Sequence, residues 1–148
     1  MKAIVQRVSS ASVTIAGERY SHIEKGLLIL LGIKNGDTID DAKYVAEKCA
    51  ALRIFEDAEE KMNRSVKDVH GSIMIVSQFT IYGDTRKGNR PSFVDAAPPQ
   101  IAEPLYEQFV EHMRSLLGTE KVVTGVFRAM MEVSLINDGP VTVIVESK

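Results

Sequence analysis

The chain has 148 residues, 45% of them apolar and 26% charged, with a formal charge of −2. That length suits one domain burying about two-thirds of its unfolded surface, and the charge excludes a general affinity for nucleic acid, so any RNA contact has to come from a local basic patch. The longest apolar stretch, Gly26 to Ile33, falls far short of the ~20 residues of a membrane helix, and the single cysteine, Cys49, excludes an internal disulfide and fits a reducing, cytoplasmic setting.

Strands come first. Ala3 to Val8 alternates apolar and polar residues from near the first residue, with no signal-peptide layout. Ser12 to Ile15 follows, then a turn at Ala16-Gly17-Glu18 and an apolar strand from Gly26 to Ile33. Thr38-Ile39-Asp40-Asp41 has the capping residue and acidic first turn of a helix start. Ala42, Val45, Ala46, Cys49 and Leu52 recur at helical spacing and predict a helix over about 38–51. Leu52 to Phe55 reads as a short strand and Asp57 to Lys61 as a turn.

Ser72 to Thr80 is a continuous apolar, β-branched run, the pattern of a buried central strand. A loop rich in glycine, proline and charge runs from Gly83 to Pro99. Ile101, Leu105, Phe109, Val110, Met113 and Leu117 mark a second amphipathic helix from Pro98 to Leu117, ended by Gly118. Strands are expected at Val122–Phe127, Met131–Ile136 and Val141–Val145. The order predicts a single α/β domain over 1–148, a mixed, largely antiparallel curled sheet carrying two main helices, with hairpins at both ends.

Three segments carry candidate chemistry. Ser77-Gln78-Phe79-Thr80 closes the core strand and opens into the loop, where sites in sheet proteins often sit. The bland reading is that Ser77 and Thr80 bond only to nearby backbone. Thr80 as a nucleophile would need an activating base, and His22, His70 and His112 stand in no triad motif. No metal or other cofactor is expected, since paired cysteines and His-Glu-x-x-His are missing. Cys49 reads as a small core residue. Within Asp84 to Phe93, Arg86, Lys87 and Arg90 are the candidates for phosphate contact beside the permissive Gly88.

The third segment, Asn137-Asp138-Gly139-Pro140-Val141-Thr142, contradicts itself. Asp-Gly between two alternating runs signals a tight hairpin. The residue after that glycine normally donates its N–H back across the turn, and Pro140 has none. The simple hairpin must therefore be altered, and Gly139-Pro140 reads as a rigid backbone device aimed at a ligand.

Together these segments resemble one family. Gln6-Arg7-Val8 with Ala11-Ser12-Val13, Gly26-Leu27-Leu28, Lys61-Met62-Asn63, Ser77-Gln78-Phe79-Thr80, Arg90-Pro91-Ser92-Phe93 and Asn137 to Thr142 resemble the D-aminoacyl-tRNA deacylases, in the same order and over essentially the whole chain. The resemblance implies a cytosolic homodimer that hydrolyses the ester between a D-amino acid and the 3′ end of tRNA. It implies active sites at the dimer interface, with a cis Gly139-Pro140 of one subunit reaching the other's pocket and Arg7 helping to hold it. Asn137 and Thr142 belong to that same selecting segment, while Ser77, Gln78, Phe79 and Thr80 are expected at the chemistry. Arg128 departs from the family, which usually carries Gly or Ala after the phenylalanine that is Phe127 here. A binding module for nucleic-acid ends and a general esterase of D-amino acid derivatives are the other two functions weighed.

Overall fold

A computed structural model describes all of residues 1–148. β1 (Lys2–Ile15) is one long strand where two short ones were expected. It turns at Ala16 and Gly17, both at positive φ (51° and 80°), into β2 (Glu18–Ile23). Two successive left-handed residues match the strand twist of a two-residue hairpin. β2 escaped the sequence reading because Glu18-Arg19-Tyr20-Ser21-His22 is a polar edge with no apolar run.

β3 (Gly26–Gly32) pairs antiparallel with the first half of β1, while β2 takes the second half. α1 (Ile39–Ala51) begins as expected: Thr38 and Asp41 form a reciprocal capping box. Ala42, Val45, Ala46 and Cys49 are its buried stripe. Burial pushes the Cys49 thiol up to about 12, so it is an inert core residue. β4 (Phe55–Glu56) and β5 (Met62–Arg64) form a small separate ribbon around the expected turn.

β6 (Ser72–Ser77) lies parallel to β3 and to β7 (Val122–Thr124). Parallel neighbours need a crossover of a dozen or more residues. α1 is part of the first and α2 (Pro99–Leu117) part of the second. Ala102, Leu105, Tyr106, Phe109, Val110 and Met113 face the core from α2, which ends at Gly118 with φ 103°. The helices pack together and His112 Nε2 meets Glu47 Oε1 at 3.0 Å, a bridge from α2 to α1. No helix is long and apolar enough to cross a membrane.

The largest departure from the sequence reading is β8 (Glu132–Glu146). The two expected strands are one, and the C-terminal hairpin is absent. β8 runs antiparallel to β1 throughout, from Glu132 opposite Thr14 to Glu146 opposite Lys2. Val8 pairs with Asn137 and Gln6 with Thr142, so Asp138, Gly139, Pro140 and Val141 all stand opposite Arg7. The turn signals build an oversized bulge instead of reversing the chain. The result is a curled six-stranded sheet, ordered β2-β1-β3-β6-β7 with β8 on β1. Its larger core lies under the two helices, and a smaller one joins Val8, Val13, Leu28, Met74 and Val76 on the other face.

Candidate active site

β6 was expected to reach Thr80 but stops at Ser77, whose partner Leu31 is the last paired residue of β3 on that side. Beyond it Gly32 has no side chain, and a Cβ there would lie 3.1 Å from the Tyr82 ring and 3.2 Å from the Gln78 carbonyl oxygen. The chain uses that space to fold back as a 3-10 turn, Phe79–Tyr82.

The backbone donors of this turn divide cleanly. Gln78 N–H donates to the Leu31 carbonyl at 2.8 Å, Ile81 N–H to that of Gln78 at 3.3 Å and Gly83 N–H to that of Thr80 at 3.0 Å. The first N–H groups of a 3-10 turn have no partner within it. Phe79 and Thr80 therefore keep theirs free, while that of Gln78 is spent. Gln78 instead offers its side chain, whose Nε2 donates to Thr80 Oγ1.

A cleft of about 780 Å³ opens at this end of β6. Leu31, Ile33, Val76 and Ser77 form its floor, and Gln78, Phe79 and Thr80 lie along it. One wall is Phe93 with Ala96 to Pro99 and Ala102 of α2. That loop is tied to the end of β3 by Ala97 N–H to the Ile33 carbonyl (3.0 Å) and Asn35 N–H to that of Asp95 (3.0 Å). The opposite wall is Phe127 to Met131 with Val133, where the Phe127 ring lies 5.7 Å from that of Tyr106. Phe79 is 57% exposed and edge-on to Phe93 at 5.1 Å. No histidine, aspartate or glutamate lines the cleft, so this chain brings no general base to Thr80.

The bulge is a second constellation, held from behind. Arg7 is the buried charged residue of the chain, 6% exposed. Its Nε donates to the Asp138 carbonyl at 2.9 Å and its Nη1 to the Ile54 carbonyl at 2.8 Å. The carboxylates of Asp138 and Glu56 stand 3.7 and 3.9 Å away. Asn137 Oδ1 accepts the Val141 N–H at 2.8 Å, replacing the ladder partner that Val141 has lost. Thr142 Oγ1 accepts from Asn137 Nδ2 (3.2 Å) and Gln6 Nε2 (3.4 Å). So braced, Gly139 and Pro140 stand exposed, joined by a cis peptide.

The expected residues thus form two groups within the chain. Ser77 to Thr80 line the cleft; Arg7, Asn137, Gly139, Pro140 and Thr142 form the bulge and do not line it. Val133 of β8 reaches the cleft wall, and Gly139 follows six residues later, roughly 15–20 Å along a strand. Of the basic-loop residues, Arg86 is forked onto Asp84 (Nε to Oδ1 2.9 Å, Nη2 to Oδ2 2.7 Å), which draws the Asp84 carboxyl down to about 2. Lys87 and Arg90 are exposed and in no ion pair. Sequence reasoning missed the Ile54 carbonyl, Gln6 and most of the apolar walls; Arg7 was expected as a brace on the family resemblance alone.

Residues 4–146 match the sequence model of the D-Tyr-tRNA(Tyr) deacylase family. A protein of Halalkalibacterium halodurans named D-aminoacyl-tRNA deacylase is 58% identical over 148 residues, 100% of either chain. One of Chloroherpeton thalassium with the same name is 56% identical, covering 99% of this chain and 96% of that one. Among solved structures, one named c-Myc DNA unwinding element binding protein superposes with TM-score 0.95 at 44% identity, covering 100% of this chain and 99% of that one. A probable eukaryotic D-amino acid tRNA deacylase superposes with TM-score 0.82 over 98% of either chain, at 16% identity a likeness of fold alone.

Proposed function

The chain belongs to the D-Tyr-tRNA(Tyr) deacylase family, and from that premise we propose that it hydrolyses the ester of D-aminoacyl-tRNA to free tRNA and D-amino acid. The cell compartment is the cytosol, and the task is chiral proofreading in translation. The observation that carries this reading is the pairing, in one chain, of an apolar cleft with two free N–H donors and a braced backbone bulge. Full-length relatives at this identity carry the same activity in their names.

D- and L-amino acids carry identical groups, so apolar fit and charge distinguish them poorly; even a whole methylene is worth only about 1–3 kcal/mol. Discrimination must be steric, with the amine and ester held and one direction from Cα blocked. Backbone suits this, because braced carbonyl oxygens stay where they are placed. Gly139-Pro140 blocks the L direction and never grips a D side chain, so D residues of many sizes pass. Glycine, with no side chain to block, passes too.

The bulge lies off its own cleft, and the reading pairs it with the cleft of a second copy. β8 supports such a homodimer: it has a partner on one side only, and its Ile136 and Ile144 are each 62% exposed. Long apolar edges are ordinarily covered.

Aminoacyl esters are reactive already, so positioning and oxyanion stabilisation suffice. The N–H groups of Phe79 and Thr80 are the donors for the oxyanion. Water attacks, helped by the terminal 2′-hydroxyl of the RNA, and its proton leaves with the 3′ oxygen. Thr80, accepting from the Gln78 amide with no base in the cleft, positions rather than attacks. Lys87 and Arg90 meet the RNA backbone.

Wild type and Thr80→Ala, assayed on D-Tyr-tRNA and on D-tyrosine ethyl ester, test this. Both proteins should cleave the tRNA ester, the variant within about tenfold of wild type, and both should neglect the ethyl ester. Loss above about 10⁴-fold in Thr80→Ala, the scale of removing a true nucleophile, would contradict the positioning role. Equal turnover of the two esters would make the protein a general esterase.

A module that holds nucleic-acid ends without hydrolysis is the second reading, favoured by the structural relative named for binding a DNA element. Tight binding of uncharged tRNA with D-Tyr-tRNA left intact would select it.

A further inference from the structure

Arg128 is the single charged residue lining the cleft. Its backbone is left-handed, φ 67°, a conformation glycine adopts freely and arginine only at a cost. None of the chain's ion pairs includes it. Neighbouring Met130, 91% exposed, marks this wall as the cleft's mouth. An unpaired guanidinium at the mouth of an apolar cleft is an anion receptor with its fork unfilled.

We propose that Arg128 receives the 5′-phosphate of the terminal nucleotide of the RNA, the phosphodiester nearest the scissile ester. The assignment rests on the deacylase reading. In that reading the ester lies against Phe79 and Thr80, with the amino acid beyond it. The terminal 5′-phosphate is then one ribose back toward solvent, which is where Arg128 stands. Arg86, whose charge Asp84 already satisfies, cannot supply this contact; Lys87 and Arg90 lie on the other wall's loop, left for phosphates further up the strand.

Two non-hydrolysable probes separate this role from others: 3′-(D-tyrosylamino)-3′-deoxyadenosine with a free 5′-hydroxyl, and the same compound with a 5′-monophosphate. Calorimetric titration of wild type at low salt should give about tenfold tighter binding of the phosphorylated probe, the scale of one charge-assisted contact. In Arg128→Gly, which suits the left-handed backbone and leaves folding safe, that preference should vanish while the unphosphorylated probe binds as before. Arg128→Lys should keep part of it.

Three results would overturn the assignment: a preference that survives in Arg128→Gly, equal loss of both probes, or wild type binding neither. A D-aspartyl probe weakened more than the D-tyrosyl one by Arg128→Gly would also overturn it, by showing that the arginine reads the side chain. Wild type that keeps the phosphate preference yet leaves D-Tyr-tRNA intact would strike the deacylase reading and support the phosphate contact.

Discussion

Gly139→Ala is expected to cut kcat/KM for D-Tyr-tRNA by about 100-fold, the loss that follows when a positioning group moves by about 1 Å. Gly139 has φ 142°, outside the range L residues adopt comfortably. A Cβ there would lie 2.8 Å from Val141 Cγ2, 3.0 Å from Val141 N and 3.2 Å from Arg7 Nη2. Two of those three atoms are parts of the brace itself. The methyl therefore cannot be absorbed without moving the backbone that carries Gly139 and Pro140. The fold should survive, because the rest of β8 stays paired with β1 on both sides of the bulge. Circular dichroism should match wild type while turnover falls. Undiminished turnover would mean that the bulge does not reach the reacting centre.

Arg7→Met is expected to lower stability by about 3 kcal/mol, on the order of 6–12 °C in Tm for a chain of this size. Methionine fills the same channel but donates nothing, so the buried carbonyl of Ile54 and the part-buried one of Asp138 lose their partners together. Each orphaned acceptor costs about 1–3 kcal/mol. The carboxylates of Glu56 and Asp138 add little, since both side chains are 53% exposed and water can take over their solvation. Activity should fall with stability, and further, because Asp138 precedes Gly139 directly. Arg7→Lys is the informative comparison: it keeps the charge but not the planar fork that reaches two carbonyls in different directions. It should recover less than half of the lost stability. Thermal unfolding of the three proteins checks this, and Arg7→Met with wild-type Tm would show that the fork holds nothing.

The helices were legible from sequence because their signals are local. The Thr38–Asp41 capping box and the stripe through Cys49 set α1, expected over 38–51 and found over 39–51. Pro99 and Gly118 bracket α2 in the same way. β8 was misread for the opposite reason. Asp138-Gly139 has the local mark of a reversal, yet the long-range pairing of both flanks with β1 overrides it. Arg7, some 130 residues away, then braces the bulge from behind through the Asp138 carbonyl. The conflict between turn residues and the missing Pro140 N–H was visible; its resolution was not.

The site was legible in part. Ser77 to Thr80 were identified as a strand end beside a loop, but the turn at Phe79 depends on the small Gly32 of a neighbouring strand. For the same reason the Gln78 N–H is spent on the Leu31 carbonyl, and Gln78 meets the site only through its side chain. Arg86 read as a free cation because nothing in spacing says that a carboxylate two residues earlier will take it in a fork. Charge along a sequence counts cations; only geometry shows which remain unpaired.

A chiral filter made of backbone, as proposed, would admit D esters and glycine while excluding L esters. Deacylation of D-Tyr-tRNA, L-Tyr-tRNA and Gly-tRNA, measured side by side at catalytic enzyme concentrations, tests it most directly. Rapid loss of the D-tyrosyl ester, measurable loss of the glycyl ester and an intact L-tyrosyl ester are expected. Equal rates for the D and L esters, or a glycyl ester as inert as the L one, would contradict it.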